Sequence, residues 1–293
     1  MSTGTTEIRP LIRYAAPAFS YDRSEQLSLR IQVGADELVF SVFDPLPASF
    51  VLIEKFAVQK GYAGLKAHQA IARILHTHPS VRSLWKTVEW ISMSPIYTLI
   101  PATLNEETNP KDAIDLVHKP EPDRHYGSVP LPAFEVSLIY AWDIEMKETL
   151  SQYFPTALSS HYMKYLLGNL SNGQNPETFV LAHVNGYHLD VVVIKDSKLL
   201  FCNLFHFQSP DDFIYFLLIV CEQLNLDRET IPLQLAGEIE SGSALYQACF
   251  KYFRILGFMN RFPAYPVPAP DKETDPLASY AYFTLLHPDL ENY

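Results

Sequence analysis

The stretch Thr178 to Gln208, TFVLAHVNGYHLDVVVIKDSKLLFCNLFHFQ, reads as three consecutive antiparallel strands joined by two tight turns. Phe179 to Val184, Leu189 to Ile194 and Leu199 to Phe207 are crowded with Val, Leu, Ile and Phe, while Asn185-Gly186 and Asp196-Ser197 supply turn chemistry. Leu27 to Val58 repeats the arrangement: LSLRIQV, the turn Gly34-Ala35-Asp36, ELVFSVFD, the link Pro45 to Ser49, then FVLIEKFAV. A helical pattern follows each copy. A duplicated strand-strand-strand-helix unit constrains the architecture more than any other feature of the chain.

The remaining segments fit around these two meanders. Residues before Tyr21 are polar and read as a loose terminus. The strand Glu37 to Phe43 is apolar on both faces, as in a sheet covered on both sides. Gly61 to His78 carries helical spacing and Pro79 ends it. Thr87 to Met93 and Ile96 to Ile100 read as short strands split by Pro95, Lys111 to Lys119 as a short helix, and the proline-rich His118 to Pro132 as an irregular surface crossover. Phe134 to Trp142 reads as a strand, and Ile144 to Leu170 as one or two helices interrupted near Pro155. Ser209-Pro210-Asp211-Asp212 is the clearest helix start, with an N-cap, a first-turn proline and two carboxylates. The helix it opens runs to about Leu224 and is apolar nearly all round, which predicts burial between layers. Ile231 to Gly237 reads as a strand, Ser243 to Phe253 as a helix, Ile255 to Met259 as a last strand and Arg261 to Pro276 as a loop. Tyr280 to Leu286 fits helix or strand equally.

Composition narrows the function. With 33 acidic against 22 basic residues and a formal charge of −11, the chain repels phosphate backbones and anionic lipid surfaces, so nucleic acid and membrane are not expected partners. The N-terminal residues lack a signal-peptide apolar core, and the longest apolar run, Phe213 to Cys221, falls far short of the ~20 residues that span a bilayer, which predicts a cytoplasmic protein. Cys202, Cys221 and Cys249 show no metal or redox spacing and read as buried thiols. His76 and His78 read as complements to a helix C-terminus, and His183, His188 and His206 have no acidic or Cys companion at ligand spacing, so no metal site is expected. The usual signatures of P-loops, dinucleotide folds, serine hydrolases and zinc proteases are all missing.

Two copies of three antiparallel strands followed by helix, strand and helix resemble the actin-like ATPase superfamily. LSLRI, YTLIP (Tyr97 to Pro101), DDFIYFLLIVCEQLNLD (Asp211 to Asp227) and PLQLAGEIESGSALY (Pro232 to Tyr246) are similar to the Bacteroidetes family called domain of unknown function 3822, from about Leu27 to Phe258. The resemblance implies an α/β chain with the duplicated actin-like (ribonuclease H-like) fold: two domains, each with a mixed sheet of three antiparallel strands and then helix-strand units, flanked by helices. The expected divisions are a flexible terminus over 1–20, one domain over 21–172, and a second over 173–293 that ends in a tail.

That superfamily binds ATP with magnesium, and its motifs can be laid on this chain. The first phosphate loop wants an Asp at the end of strand one; the slot falls on Gln32, followed by Val33 and Gly34, and Gln supplies no negative charge to a metal. The second loop wants Asp, any residue, then two glycines; it falls on Val184, Asn185, Gly186 and Tyr187. The adenosine motif wants a glycine pair, and here Gly237 is followed by Glu238. The candidate cleft residues are therefore Gln32, Gly34, Asp36, Asn185, Gly186, Gly237, Glu238 and Gly242. Gly34 and Gly186 also suit plain hairpin turns, and Glu240-Ser241-Gly242 a helix-entry loop. Three departures predict a degenerate, non-catalytic binding or scaffold protein with no cofactor, whose partner is another protein or a nucleotide. The rival expectation is an active ATPase or kinase using Asp36, Asp190 or Glu238, and a third is an interaction protein that uses its proline-rich loops.

Overall fold

A computed structural model describes residues 8–58, 64–171, 175–259, 266 and 281–286. The first meander is β2 (Ser28–Val33), β3 (Glu37–Asp44) and β4 (Ser49–Ala57), preceded by β1 (Ile12–Ala15) and followed by α1 (Ala67–Thr77) and β5 (Thr87–Ser92). Next come β6 (Tyr97–Pro101), α2 (Pro110–Val117), β7 (Arg124–Leu131), β8 (Val136–Asp143), α3 (Ile144–Tyr153), β9 (Leu158–His161) and α4 (Tyr162–Leu170). The second meander is β10 (Phe179–Asn185), β11 (His188–Lys195) and β12 (Lys198–His206), and then α5 (Pro210–Gln223), β13 (Pro232–Gly237), α6 (Ala244–Tyr252) and β14 (Ile255–Phe258).

The duplication is explicit in the sheet orders. One sheet runs β1-β4-β3-β2-β5-β9 and another β12-β11-β10-β13-β14, so beyond the added β1 each places its third, second, first, fourth and fifth strands side by side. In both, the meander is antiparallel and the later strands join parallel, as in Ser28 opposite Thr87 and Val180 opposite Leu233. The first copy alone carries an insertion between its fourth and fifth strands, a three-stranded sheet ordered β6-β8-β7 with α2 packed on it.

Turn chemistry sets the registers. Asp196 and Ser197 both take positive φ, 51° and 61°, as a two-residue hairpin loop with right-handed flanking twist requires. Gly186 opens the β10–β11 loop at φ 56°. At the N-terminus of α5, Ser209 accepts from the Asp212 amide while the Asp212 carboxylate accepts from the Ser209 amide, so the expected cap is closed reciprocally. Only one side of that helix is buried: Phe213, Ile214, Leu217, Val220 and Cys221 cover the outer face of the second sheet, whereas Tyr215 is 58% exposed. The helix flanks a layer and is not enclosed between two.

Several expectations need correction. Ile12–Ala15 pairs antiparallel with β4, so the first twenty residues are not loose throughout. The proline-rich crossover contains β7, paired with β8 from Arg124 to Leu131; β7 is an edge strand, where the N–H that Pro130 lacks need not serve a ladder. Leu158–His161, expected within a helical stretch, is a strand because it completes the first sheet beside β5. Residues 281–286 form turns, neither helix nor strand, and Tyr282 to Leu286 are buried. The loop expected over Arg261 to Pro276 lies outside the described residues apart from Pro266, whose carbonyl accepts from the Phe50 amide.

The second sheet's two faces have different surroundings. Val180, Val184, Leu189, Val191 and Val193 pack with α5 and α6, while Phe179, Leu181, Val192, Ile194 and Ala236 join the core built around the first sheet. The inner faces of the two copies therefore share one hydrophobic core.

Candidate functional site

A cleft of about 670 Å³ opens where the two meanders present corresponding turns. Gly34, Ala35 and Asp36 from the β2–β3 turn face Asn185, Gly186 and Tyr187 from the β10–β11 turn; Ser92 to Pro95 line it after β5, and Trp142, Asp143 and Glu145 line it where β8 meets α3. Gly34, Asp36, Asn185, Gly186 and Glu238 of the expected residues thus share one cleft. Gln32, Gly237 and Gly242 do not line it. The Gln32 side chain is buried, with its amide nitrogen 3.4 Å from Glu37 and its oxygen accepting from Thr284 at 3.4 Å. Gly242 sits exposed before α6. Gly34 has no positive φ, so its place in the turn does not rest on the freedom of glycine.

Gly237 has a structural task that its position explains. Its φ is 82°, and a Cβ there would fall inside the carbonyl of Val184, against which the chain turns. That turn lets the Glu238 amide donate to Val184 at 2.8 Å and swings the Glu238 carboxylate over the neighbouring hairpin, where Oε2 accepts from the Gly186 amide at 2.9 Å. Oε1 lies 3.3 Å from Lys55 Nζ, and Lys55 also pairs with Glu37. Burial alone would lower the Lys55 pKa, but the Glu37 charge and hydrogen bond, with Glu238 behind them, outweigh it and hold the ammonium above its ordinary range. A resident carboxylate therefore occupies the anion position that the second hairpin turn offers.

Deeper, below the cleft, Asp190 is fully buried between the copies. Its Oδ1 accepts from Tyr97 and Tyr162 hydroxyls, both at 2.8 Å, and Oδ2 lies 3.0 Å from Tyr162 Oη and 2.9 Å from His183 Nδ1. Burial, then the Asp190 charge, push both phenols well above their ordinary range. The same causes raise the Cys202 thiol to about 12, and burial lowers His161 to about 4 against the opposing Ser94 carbonyl, which lies 2.8 Å from its Nε2. Asp190 is wholly committed to structure and is not open to a ligand. Sequence spacing gave His183 no acidic companion; strand pairing supplies one, because His183 lies directly opposite Asp190.

His78 also differs from expectation. It is buried, stacks on Phe40 with centroids 3.9 Å apart, and its Nε2 lies 2.9 Å from Glu54. Cys221 and Cys249 are buried, as expected, and burial raises their thiols to about 11 and about 12.

On the cleft wall the structure gathers His68, Asp143 and Glu145, whose ligand atoms lie within 4.8 Å of one another. All three are already engaged: Asp143 Oδ1 caps α3 through the Met146 amide at 2.9 Å, and the Glu145 carboxylate lies 2.9 Å from Lys66 Nζ and 3.2 Å from His68 Nδ1. Their separation in sequence hid this grouping. His188 and His206 stand opposite each other across β11 and β12 and also line the cleft.

The family model described as "Protein of unknown function (DUF3822)" matches residues 16–256. The chain belongs to that family. Among solved structures, a DUF3822 chain of this kind is similar to a protein of actin-like ATPase fold and unknown function from Bacteroides thetaiotaomicron, with TM-score 0.75 and 21% identity over 85% of this chain and 95% of that one. It is also similar to a chain of the PilM-PilN type IV pilus biogenesis complex, with TM-score 0.52 and 15% identity over 89% and 96% of the two chains. Among curated proteins, none matches. The fold of this DUF3822 chain is that of the actin-like ATPases. No helix among the described residues is long and apolar enough to cross a membrane.

Proposed function

We propose that this DUF3822 chain is a non-catalytic binding or scaffold protein that keeps the actin-like cleft but not its phosphate chemistry. The observation that carries the reading is Glu238: its carboxylate sits on the Gly186 amide and pairs with Lys55, the contacts a bound phosphate would need. Gln32 and Val184 stand where the superfamily places carboxylates, and Gln32 is turned to Glu37 and Thr284 rather than to the cleft. That a similar fold serves in the PilM-PilN complex supports a role in holding partners.

The rival reading, an active ATPase with relocated carboxylates, draws on Asp36 and Glu238 lining the same cleft. Isothermal titration with ATP and magnesium, together with a sensitive phosphate-release assay, separates the two. The proposed reading expects neither binding heat nor turnover. Micromolar binding with turnover above that of a Gln32→Ala variant would sink it, and loss of that turnover in Asp36→Asn would establish the rival.

A further inference from the structure

Each sheet of the fold ends in two edge strands, and β12 is the least guarded of them: among the described residues it pairs with β11 alone. A free edge presents a row of amides and carbonyls without ladder partners, and folded chains blunt it with prolines, charges or short length. The other edges here are blunted in those ways. β1, β9 and β14 have four residues each, β6 ends in Pro101 and β7 carries Pro130. β12 has nine residues, KLLFCNLFH, with no proline, no glycine and no Asp or Glu, and its one lysine stands at its start. The β-bulge at Val193 and Ile194 interrupts the pairing near that same end, which leaves Phe201 to His206 in regular register.

The ladder fixes which backbone groups face outward. The Phe207 amide donates to the Tyr187 carbonyl at 3.0 Å, so these two residues form a pair that exchanges bonds. Antiparallel alternation then turns the N–H and C=O groups of Phe205, Asn203 and Phe201 toward β11, and those of His206, Leu204 and Cys202 away from it. Beside that row lies an apolar rim. Leu200 is 46% exposed, and ring contacts run from Phe201 through Phe205 and Phe216 to Tyr215 of α5, which is 58% exposed. Charge and register choose the occupant. The chain carries a formal −11, yet Lys198 to Gln208 contains no Asp or Glu, so two copies can meet here without setting carboxylate against carboxylate. The edge is also self-complementary about a two-fold axis through Asn203. Cys202 then exchanges backbone bonds with Leu204 of the second copy, and Leu204 with its Cys202. Phe201 falls opposite Phe205 of the second copy on the face that carries the rim, and the exposed, neutral Asn203 falls opposite itself.

We infer that β12 is the docking edge for a second copy of this chain, the two strands pairing antiparallel about Asn203 into one sheet that runs through both molecules. The pairing does not depend on what the cleft binds, so ATP turnover would remove the non-catalytic reading and leave it untouched. Sedimentation and light scattering of the full chain over a micromolar concentration series should show a species of twice the chain's mass. The amide protons of Cys202, Leu204 and His206 should exchange more slowly as that species forms. Asn203→Lys and Asn203→Asp, each checked for folding by circular dichroism, put like charges face to face at the two-fold and should each weaken dimerisation by about tenfold or more. An equimolar mixture of the two variants should recover it to near the parent's level, because this register alone sets residue 203 against itself. A parent that stays monomeric through the series, exchange at those amides that ignores concentration, a dimer indifferent to both variants, or a mixture no better than either variant would overturn the inference.

Discussion

Asp190 offers the most demanding test of how the two copies are held together. It lies on β11 of the second copy, while Tyr97 and Tyr162 reach it from the first, so its carboxylate is a hydrogen-bonded tie across the shared core. Asp190→Ala leaves three buried donors, two phenols and the His183 imidazole, without their acceptor. At about 1–3 kcal/mol each the simple sum overshoots, because the donors share one site and relax together; breaking one partner out of a buried charged cluster costs about 3–5 kcal/mol. Asp190→Asn keeps the volume but replaces an accepting oxygen with an NH2 that faces donors, and should cost about 2–3 kcal/mol. Urea unfolding followed by tryptophan fluorescence and far-ultraviolet circular dichroism reads both values. Tyr97→Phe and Tyr162→Phe should each cost about 1–3 kcal/mol, and each should lose most of its effect in the Asp190→Ala background. An Asp190→Ala protein within 1 kcal/mol of the parent would refute the reasoning, since it would mean the donors find other acceptors at little cost.

Three further outcomes follow from the geometry. Gly237→Ala must abandon φ 82° and displace the Val184 carbonyl, losing about 2–3 kcal/mol, whereas Gly186→Ala meets nothing within 4 Å and should lose only about 1–2 kcal/mol; urea midpoints of the pair check this. Glu54 titrates low: burial alone would raise its pKa, but the hydrogen bonds and charges of His78 and Arg13 together outweigh it. A lowered folded pKa contributes stability above the unfolded value of about 4.3 and loses it as pH falls through the folded value, so the stability gap between parent and Glu54→Gln should narrow below about pH 4.3. Ending the chain after residue 280 uncovers the seats of Phe283, Leu285 and Leu286, each worth about 1.5–3 kcal/mol, and removes the Leu285 and Phe283 carbonyls that accept from Arg30 and Asn169; limited proteolysis should then cut the first copy much faster than in the full chain.

What could be read from the sequence follows from where the information lies. Both meanders were legible because each strand is apolar over its length and each turn carries its own chemistry within a few residues. β7 and β9 were not, because Arg124–Leu131 contains Pro130 and Leu158–His161 has no alternation; both are strands only because β8 and β5 offer free edges beside them. The same division holds at the cleft. The hairpin glycines and Glu238 were visible as departures from a motif, whereas His68 with Asp143 and Glu145, Asp190 beneath two tyrosines, and the partnerless Trp142 indole are made by packing residues far apart in the chain.

Two of the chain's departures bear on each other. A nucleotide machine of this fold has reason to let its halves move, since closing around a polyphosphate is how contacts to both hairpin turns are made at once. Here Lys55 of the first copy reaches Glu238 of the second above the cleft, and Tyr97 and Tyr162 reach Asp190 below it. The exposed tie is weak, under about 1 kcal/mol for such a pair, while the buried one is worth several. Opening the copies would break both, and the stronger would be lost from the buried floor. An anion seat already filled by Glu238 and a floor tied by Asp190 favour a cleft of fixed width over one that closes.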